Sequence, residues 1–134
     1  LSQKTLRIKE RFHLFCSYCW SSGQDQVMLI KRQLRSLLPK VRIFLDIDDL
    51  DDVESLEEYI DASAVILSFM SVGYFSSLNC LREVARVLQK KKTYLLVHEL
   101  NNKKGGDTLE AFILECPIAY RKKVFSKERQ IISW

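Results

Sequence analysis

The sequence predicts an α/β fold: a single doubly wound parallel sheet of about five strands with helices on both faces. Three observations carry that prediction. Short apolar runs alternate with segments whose apolar residues recur every three or four positions, giving the order βαβαβαβα(β). One run, Ala62 to Met70, is apolar almost throughout, the pattern of a central parallel strand covered on both faces. The chain has 134 residues, 47% hydrophobic and 28% charged, and a domain of this size buries roughly two-thirds of its unfolded surface, enough for one core.

Each element has its own signal. Phe12 to Ser17 is a short apolar, aromatic run that Ser21-Ser22-Gly23 ends in a loop, so it is expected to be the first strand. From Gln24 onward Val27, Ile30, Leu34 and Leu37 or Leu38 trace an amphipathic helix stopped by Pro39. Val41 to Asp46 forms the second strand and leads into an acidic loop over Ile47 to Glu54. Ser55-Leu56-Glu57-Glu58 has the form of a capping box and opens a short helix carrying Leu56, Tyr59 and Ile60. After the strand Ala62 to Met70, Ser71 to Ser77 forms a turn-like loop, and Ser76 or Ser77 caps a helix striped by Leu78, Leu81, Val84, Ala85 and Leu88. Three lysines close that helix, where its dipole prefers cations. Thr93 to His98 is a fourth strand, Asn101 to Gly106 a polar loop, and a helix from about Asp107 to Glu115 ends before Pro117. A fifth strand is expected around Ile118 to Val124. The closest architecture is flavodoxin-like, and ligands in such sheets bind at the carboxyl ends of the strands, here the loops at residues 18–23, 46–54 and 70–77.

Composition narrows the classes. With 4 Gly and 2 Pro, collagen-like and disordered chains are excluded. No apolar run reaches the roughly 18 residues of a membrane span, and Leu1 to Arg11 is too charged for a signal peptide. The absence of an initiator Met suggests a single domain, 1–134, taken from a larger multidomain protein. Four Cys beside two His suit a reducing, cytoplasmic compartment rather than a disulfide framework. Charge is unevenly spread: Ile43 to Leu81 holds nine acids and no Lys or Arg, so this block is −9 and the remainder +13. Basic clusters at Lys90 to Lys92, Lys103-Lys104 and Arg121 to Lys123 lack interleaved aromatics, and nucleic acid is not an expected partner.

Absent motifs narrow the chemistry further. The chain has no dinucleotide-binding glycine fingerprint, no P-loop and no nucleophile elbow. Cys16-Ser17-Tyr18-Cys19 has C-x-x-C spacing, which serves thiol exchange or half a zinc site, but the further ligands that zinc needs are isolated, and no metal is expected. The simpler reading makes Cys16 a buried strand residue and Cys19 a loop thiol. On a helical wheel Glu83 lies roughly opposite Leu81, beside Asn79 and Arg86, where a solvated Glu83–Arg86 pair is the bland alternative to a functional carboxylate.

Three segments occur in the order of a known family. Phe12-His13-Leu14-Phe15-Cys16-Ser17-Tyr18 resembles the first box of Toll/interleukin-1 receptor (TIR) domains, a strand of the type D-A-F-V-S-Y. Asp48-Asp49-Leu50-Asp51-Asp52-Val53-Glu54-Ser55-Leu56 resembles the loop after strand two of plant-type TIR domains. Ile60 to Ser68, followed by Tyr74-Phe75-Ser76-Ser77-Leu78-Asn79-Cys80-Leu81-Arg82-Glu83, is similar to the family's I-x-x-S-x-x-x-I-x-x-[FS]-S and Y-x-x-S-x-W-C-L-x-E-L stretch and is the most specific match. The resemblance covers about residues 10–125 and is closer to plant-type, NAD-cleaving members than to receptor adaptors.

That resemblance implies a function. In NAD+-cleaving TIR domains the Glu of C-L-x-E is required, and Glu83 holds that position here. It implies that Glu83 is catalytic in breaking the nicotinamide–ribose bond, with NAD+ as substrate and no bound cofactor. Ser17, Tyr18, Trp20, Asp48, Tyr74, Ser76 and Asn79 are the expected substrate-binding residues, with Trp20, Tyr18 or Tyr74 stacking on a base because Asn79 stands where the family often has Trp. Val53 likewise stands where Gly is common. The family also implies self-association or pairing with other TIR domains. Asp49, Asp51, Asp52 and Glu54 are the expected interaction loop, and contact with a basic cluster of the next copy would be head-to-tail. A catalytically silent TIR–TIR scaffold is the competing reading.

Overall fold

The computed structural model describes residues 11–45 and 56–134. Strand β1 (Phe12–Tyr18) pairs with β2 (Ile43–Leu45) on one side and β3 (Ser63–Met70) on the other; β4 (Thr93–His98) and β5 (Gln130–Ser133) complete a sheet of order β2-β1-β3-β4-β5. Every pairing is parallel, and the order is that of the flavodoxin-like doubly wound sheets. It puts the topological switch point between β1 and β3, where Ser17 lies opposite Ser68 in register.

Alternation along the strands sends side chains to two separate cores. Leu14, Cys16 and Tyr18 of β1 join Leu67, Phe69 and Val97 against helix α1 (Trp20–Leu37), through its Val27 and Ile30. Phe15, Ile66 and Leu96 face the opposite side. There α2 (Leu56–Asp61), α3 (Leu78–Lys90), α4 (Leu109–Glu115) and α5 (Ile118–Val124) supply Ile60, Val84, Phe112 and Val124. Two ion pairs lock α3 to α2: Arg82 to Glu57 at 2.7 Å and Arg86 to Asp61 at 2.5 Å.

The caps agree in part with their sequence signals. Ser77 accepts from the Cys80 amide at the start of α3, Lys91 closes that helix in the left-handed conformation, and Thr108 accepts from the Ala111 amide to start α4. Ser55, the N-cap of the proposed capping box, lies outside the described residues, while Glu57 and Glu58 stand in the first turn of α2.

Three expectations are corrected. Helix α1 begins at Trp20 rather than Gln24, so Ser21, Ser22 and Gly23 form its first turn. No side chain caps it; Cys19 in extended conformation is its N-cap, and a Cβ on the buried Gly23 would stand 3.1 Å from Ser71 Oγ and 3.2 Å from Phe69. Close approach of the helix to the sheet, available to glycine, sets this start. The segment Ile118–Val124 is helix α5, not a strand, and the fifth strand is Gln130–Ser133. Pro117 starts that helix, Arg121 covers the carbonyls of Leu114 and Cys116 at 3.2 and 3.0 Å, and Ile118 is left exposed. Finally, the buried stripe of α3 is Cys80, Glu83, Val84 and Val87, while Leu78 is 81% exposed. The helix is turned so that Glu83, expected on the wet face, points inward.

A buried carboxylate at the switch point

Glu83 is 1% exposed, and a carboxylate so placed must be met by hydrogen-bond donors. Ser17, at the carboxyl end of β1, donates to Glu83 Oε1 at 2.5 Å. Behind Ser17 lies a file of hydroxyls: Tyr74 at 2.5 Å from Ser17, Ser68 at 2.6 Å from Tyr74, and Tyr94 at 2.7 Å from Ser68. Proton counting fixes its direction. The Ser17 proton is given to the carboxylate, so Tyr74 donates to Ser17, Ser68 to Tyr74, and Tyr94 to Ser68. Four hydroxyls thus supply four aligned bonds that all point toward Glu83, an arrangement in which each bond polarises the next. Burial holds the Tyr74 and Tyr94 phenols well above their usual range, with charge at Glu83 acting in the same direction.

The turn bearing Tyr74 is fixed from the other side. Glu115 of α4 accepts from the Gly73 and Phe75 amides, at 2.9 Å each, one through either carboxylate oxygen. Gly73 has φ +89°, a conformation glycine adopts without strain. Cys80 Sγ donates to the Tyr18 carbonyl at 3.3 Å, tying the first turn of α3 to the end of β1.

A cavity of about 270 Å³ opens beside Glu83, lined by Tyr18, Cys19, Trp20, Ser21, Ser77, Asn79 and Cys80 as well as the carboxylate. It lies between the loops that follow β1 and β3, the crevice where doubly wound sheets take ligands. Of the residues singled out from sequence, Glu83, Tyr18, Trp20 and Asn79 line it together. Ser17 is fully buried and reaches the site through Glu83. Tyr74 has no exposed surface and serves the hydroxyl file rather than offering a ring for stacking. Ser76 is exposed on the 3-10 turn Tyr74–Ser76 and is not part of the wall, where Ser77 stands instead. Asp48, Asp49, Asp51, Asp52 and Glu54 lie outside the described residues.

The pairing of Glu83 with Arg86 does not form, because Arg86 is committed to Asp61. Cys16 and Cys19 pack into different cores, on opposite sides of the sheet, so their C-x-x-C spacing does not bring two thiols to one site. None of the four cysteines is in a disulfide, and among the described residues no group of three or more His, Cys, Asp or Glu is placed to hold a metal. Sequence reasoning missed Ser68, Tyr94 and Glu115. A serine inside the otherwise apolar run Val65 to Met70 was the available signal for the first.

A doubly wound parallel sheet with a carboxyl side chain sunk at its switch point puts that group beside the crevice where open α/β sheets take ligands. The comparisons give the fold more narrowly. No family model matches the sequence, and no curated protein does. Among solved structures, the TIR domain of the Toll-related receptor TRR-2 from Hydra magnipapillata aligns over 92% of this chain and 84% of its own, with TM-score 0.61 at 11% identity. A metazoan TIR-STING receptor from C. gigas, solved in complex with 2',3'-cGAMP, aligns over 96% of this chain with TM-score 0.67 at 15% identity. This chain spans 37% of that receptor's. The chain therefore has the TIR-domain fold. Among the described residues, no helix is long and apolar enough to cross a membrane.

Proposed function

We propose that this chain is a cytoplasmic TIR signalling domain, of the plant-type, NAD-cleaving kind, that breaks the nicotinamide–ribose bond of NAD+ on self-association, with Glu83 as the catalytic residue. The observation that supports it best is the oriented carboxylate: Glu83 borders the switch-point cavity and is aligned by Ser17 at 2.5 Å. Nicotinamide leaves NAD+ as a neutral base from an already cationic bond, so its departure needs no general acid, unlike the two-carboxylate scheme of ordinary glycosides. What the reaction needs is negative charge beside the ribose as oxocarbenium character develops, in a site that excludes bulk water. Glu83 supplies that charge, Ser17 holds the carboxylate in orientation, and water adds to the ribose carbon that nicotinamide leaves, giving up a proton to solvent. Trp20, 50% exposed at the cavity wall, offers a ring face to the base.

A second reading is a catalytically silent TIR–TIR scaffold, favoured by Asn79, which lines the cavity where NAD-cleaving relatives carry an aromatic. The acidic segment Asp46 to Glu54 would then recruit a basic surface of another TIR domain. One experiment separates them. The purified domain, concentrated or artificially clustered, is incubated with NAD+ beside Glu83→Gln, which keeps an acceptor for Ser17. Nicotinamide release by the wild type that falls at least a hundredfold in E83Q supports the enzyme; no release by either supports the scaffold.

A further inference from the structure

A second cavity, about 590 Å³, abuts the Glu83 cavity, and the two share Trp20 and Ser21 in their walls. Its far side carries Lys103 and Lys104, with Asp25 and Gln24 from α1 beside them. The backbone under the two lysines is firmly placed. The Asn101 side chain accepts from the Lys103 amide at 3.0 Å, and the Asn101 carbonyl from the Lys104 amide at 2.9 Å. Gly105, at φ +84°, lies so close to α1 that a Cβ there would stand 2.7 Å from the Ser22 carbonyl oxygen, and its own carbonyl accepts from the Val72 amide at 2.8 Å. Thus the loop after β4 is pressed onto the first turn of α1, which begins with Trp20.

Size and charge say what this shelf takes. At about 270 Å³ the Glu83 cavity falls just below the roughly 300 Å³ at which ligand pockets begin. Its volume is small for a whole dinucleotide. The adjoining cavity supplies the remaining length and two cations against one acid. We propose that Lys103 and Lys104 bind the diphosphate of a nucleotide whose proximal ribose sits at Glu83, with Trp20 as the ridge between the two subsites and Asp25 facing the hydroxyls of the distal ribose. This inference rests on the NAD+ reading and names the part of the substrate that the Glu83 cavity leaves outside. Ammonium groups recognise phosphate as point charges and need no bidentate geometry. A carboxylate accepting from a ribose diol is an ordinary pairing in dinucleotide sites.

The probe is ADP, which carries the diphosphate and distal ribose but no nicotinamide. Its binding to the intact chain is measured by titration calorimetry at low salt, for the wild type, Lys103→Glu/Lys104→Glu, and Lys40→Glu/Lys127→Glu, two exposed lysines outside the basic clusters, as a control of equal charge change elsewhere. ADP is expected to bind the wild type, at least tenfold more weakly to the first variant, and within twofold of wild type to the control. Absence of binding to the wild type, unchanged affinity in the first variant, or an equal loss in both variants would overturn the site. Nicotinamide release separates this proposal from the one beneath it. If ADP needs the two lysines but the clustered wild type leaves NAD+ intact, the phosphate site stands and NAD+ cleavage fails. If NAD+ is cleaved and its KM is unchanged in Lys103→Glu/Lys104→Glu, the enzyme stands and the phosphate site is overturned; the expected result is a KM raised tenfold or more at near-constant kcat.

Discussion

The Ser17 hydroxyl donates to the Glu83 carboxylate across 2.5 Å, joining the end of β1 to the middle of α3 over 66 residues of chain. Ser17 is opposite Ser68 in the sheet, and the Tyr74 hydroxyl bridges the two serines. A position that looks like a short polar end to an apolar strand is therefore the contact through which the sheet orients a carboxylate. Ser17→Ala removes that donor and strips Tyr74 of an acceptor. Urea unfolding should show a loss of roughly 1–3 kcal/mol, the cost of leaving a buried polar group without its partner. Nicotinamide release should fall well beyond what this instability explains, and unchanged release would contradict an orienting role.

Glu115 is expected to act on the site without touching it. Its two carboxylate oxygens hold the Gly73 and Phe75 amides and so place Tyr74 between them. Glu115→Ala should lower stability by about 1–3 kcal/mol and reduce nicotinamide release, whereas Glu115→Gln, which keeps one acceptor, should recover part of both. Equal losses in the two variants would point to a purely structural residue.

Alkaline stability reports on the hydroxyl file. Burial raises the Tyr74 and Tyr94 phenols above the ordinary value of 10.0. The unfolded chain therefore releases these protons first, and above that pH it binds fewer protons than the native state. Linkage then makes unfolding easier as pH rises. The contribution is fully present below about pH 10 and is lost as pH climbs through the raised native values. Denaturation midpoints between pH 8 and 11 should fall more steeply for wild type than for Tyr74→Phe/Tyr94→Phe; parallel slopes would contradict it.

Self-association should be sensitive to salt. Of the nine acids between Ile43 and Leu81, Glu57 and Asp61 are already held within the domain by Arg82 and Arg86. The remaining acids are proposed to meet the basic clusters of another copy, a contact that the roughly 8 Å Debye length at physiological salt would screen if the charges face solvent. Light scattering should show assembly weakening steeply between low and physiological salt, and salt-independent assembly would remove the electrostatic contact.

The sequence by itself determined the architecture and most element positions, because hydrophobic periodicity and chain punctuation are local. The apolar run Ala62 to Met70 placed the central strand, and Ser77 and Lys91 mark the ends of α3 as their chemistry suggests. It also singled out Glu83, by a motif rather than by physics. Tertiary structure alone decided which way Glu83 faces. A helical wheel weighs only the residues on one helix, and by that measure Leu78 belongs inside and Glu83 outside. Ser17 of β1 supplies a hydrogen-bond donor for the buried carboxylate, with Tyr74 bonded behind it, and Glu83 faces inward while Leu78 stays exposed. The same holds for α1, whose start is set by the fit of Gly23 against Ser71 and Phe69. It holds again for the last strand, where four residues with one partner strand carry too little periodicity to be recognised before β4 is in place to pair with them.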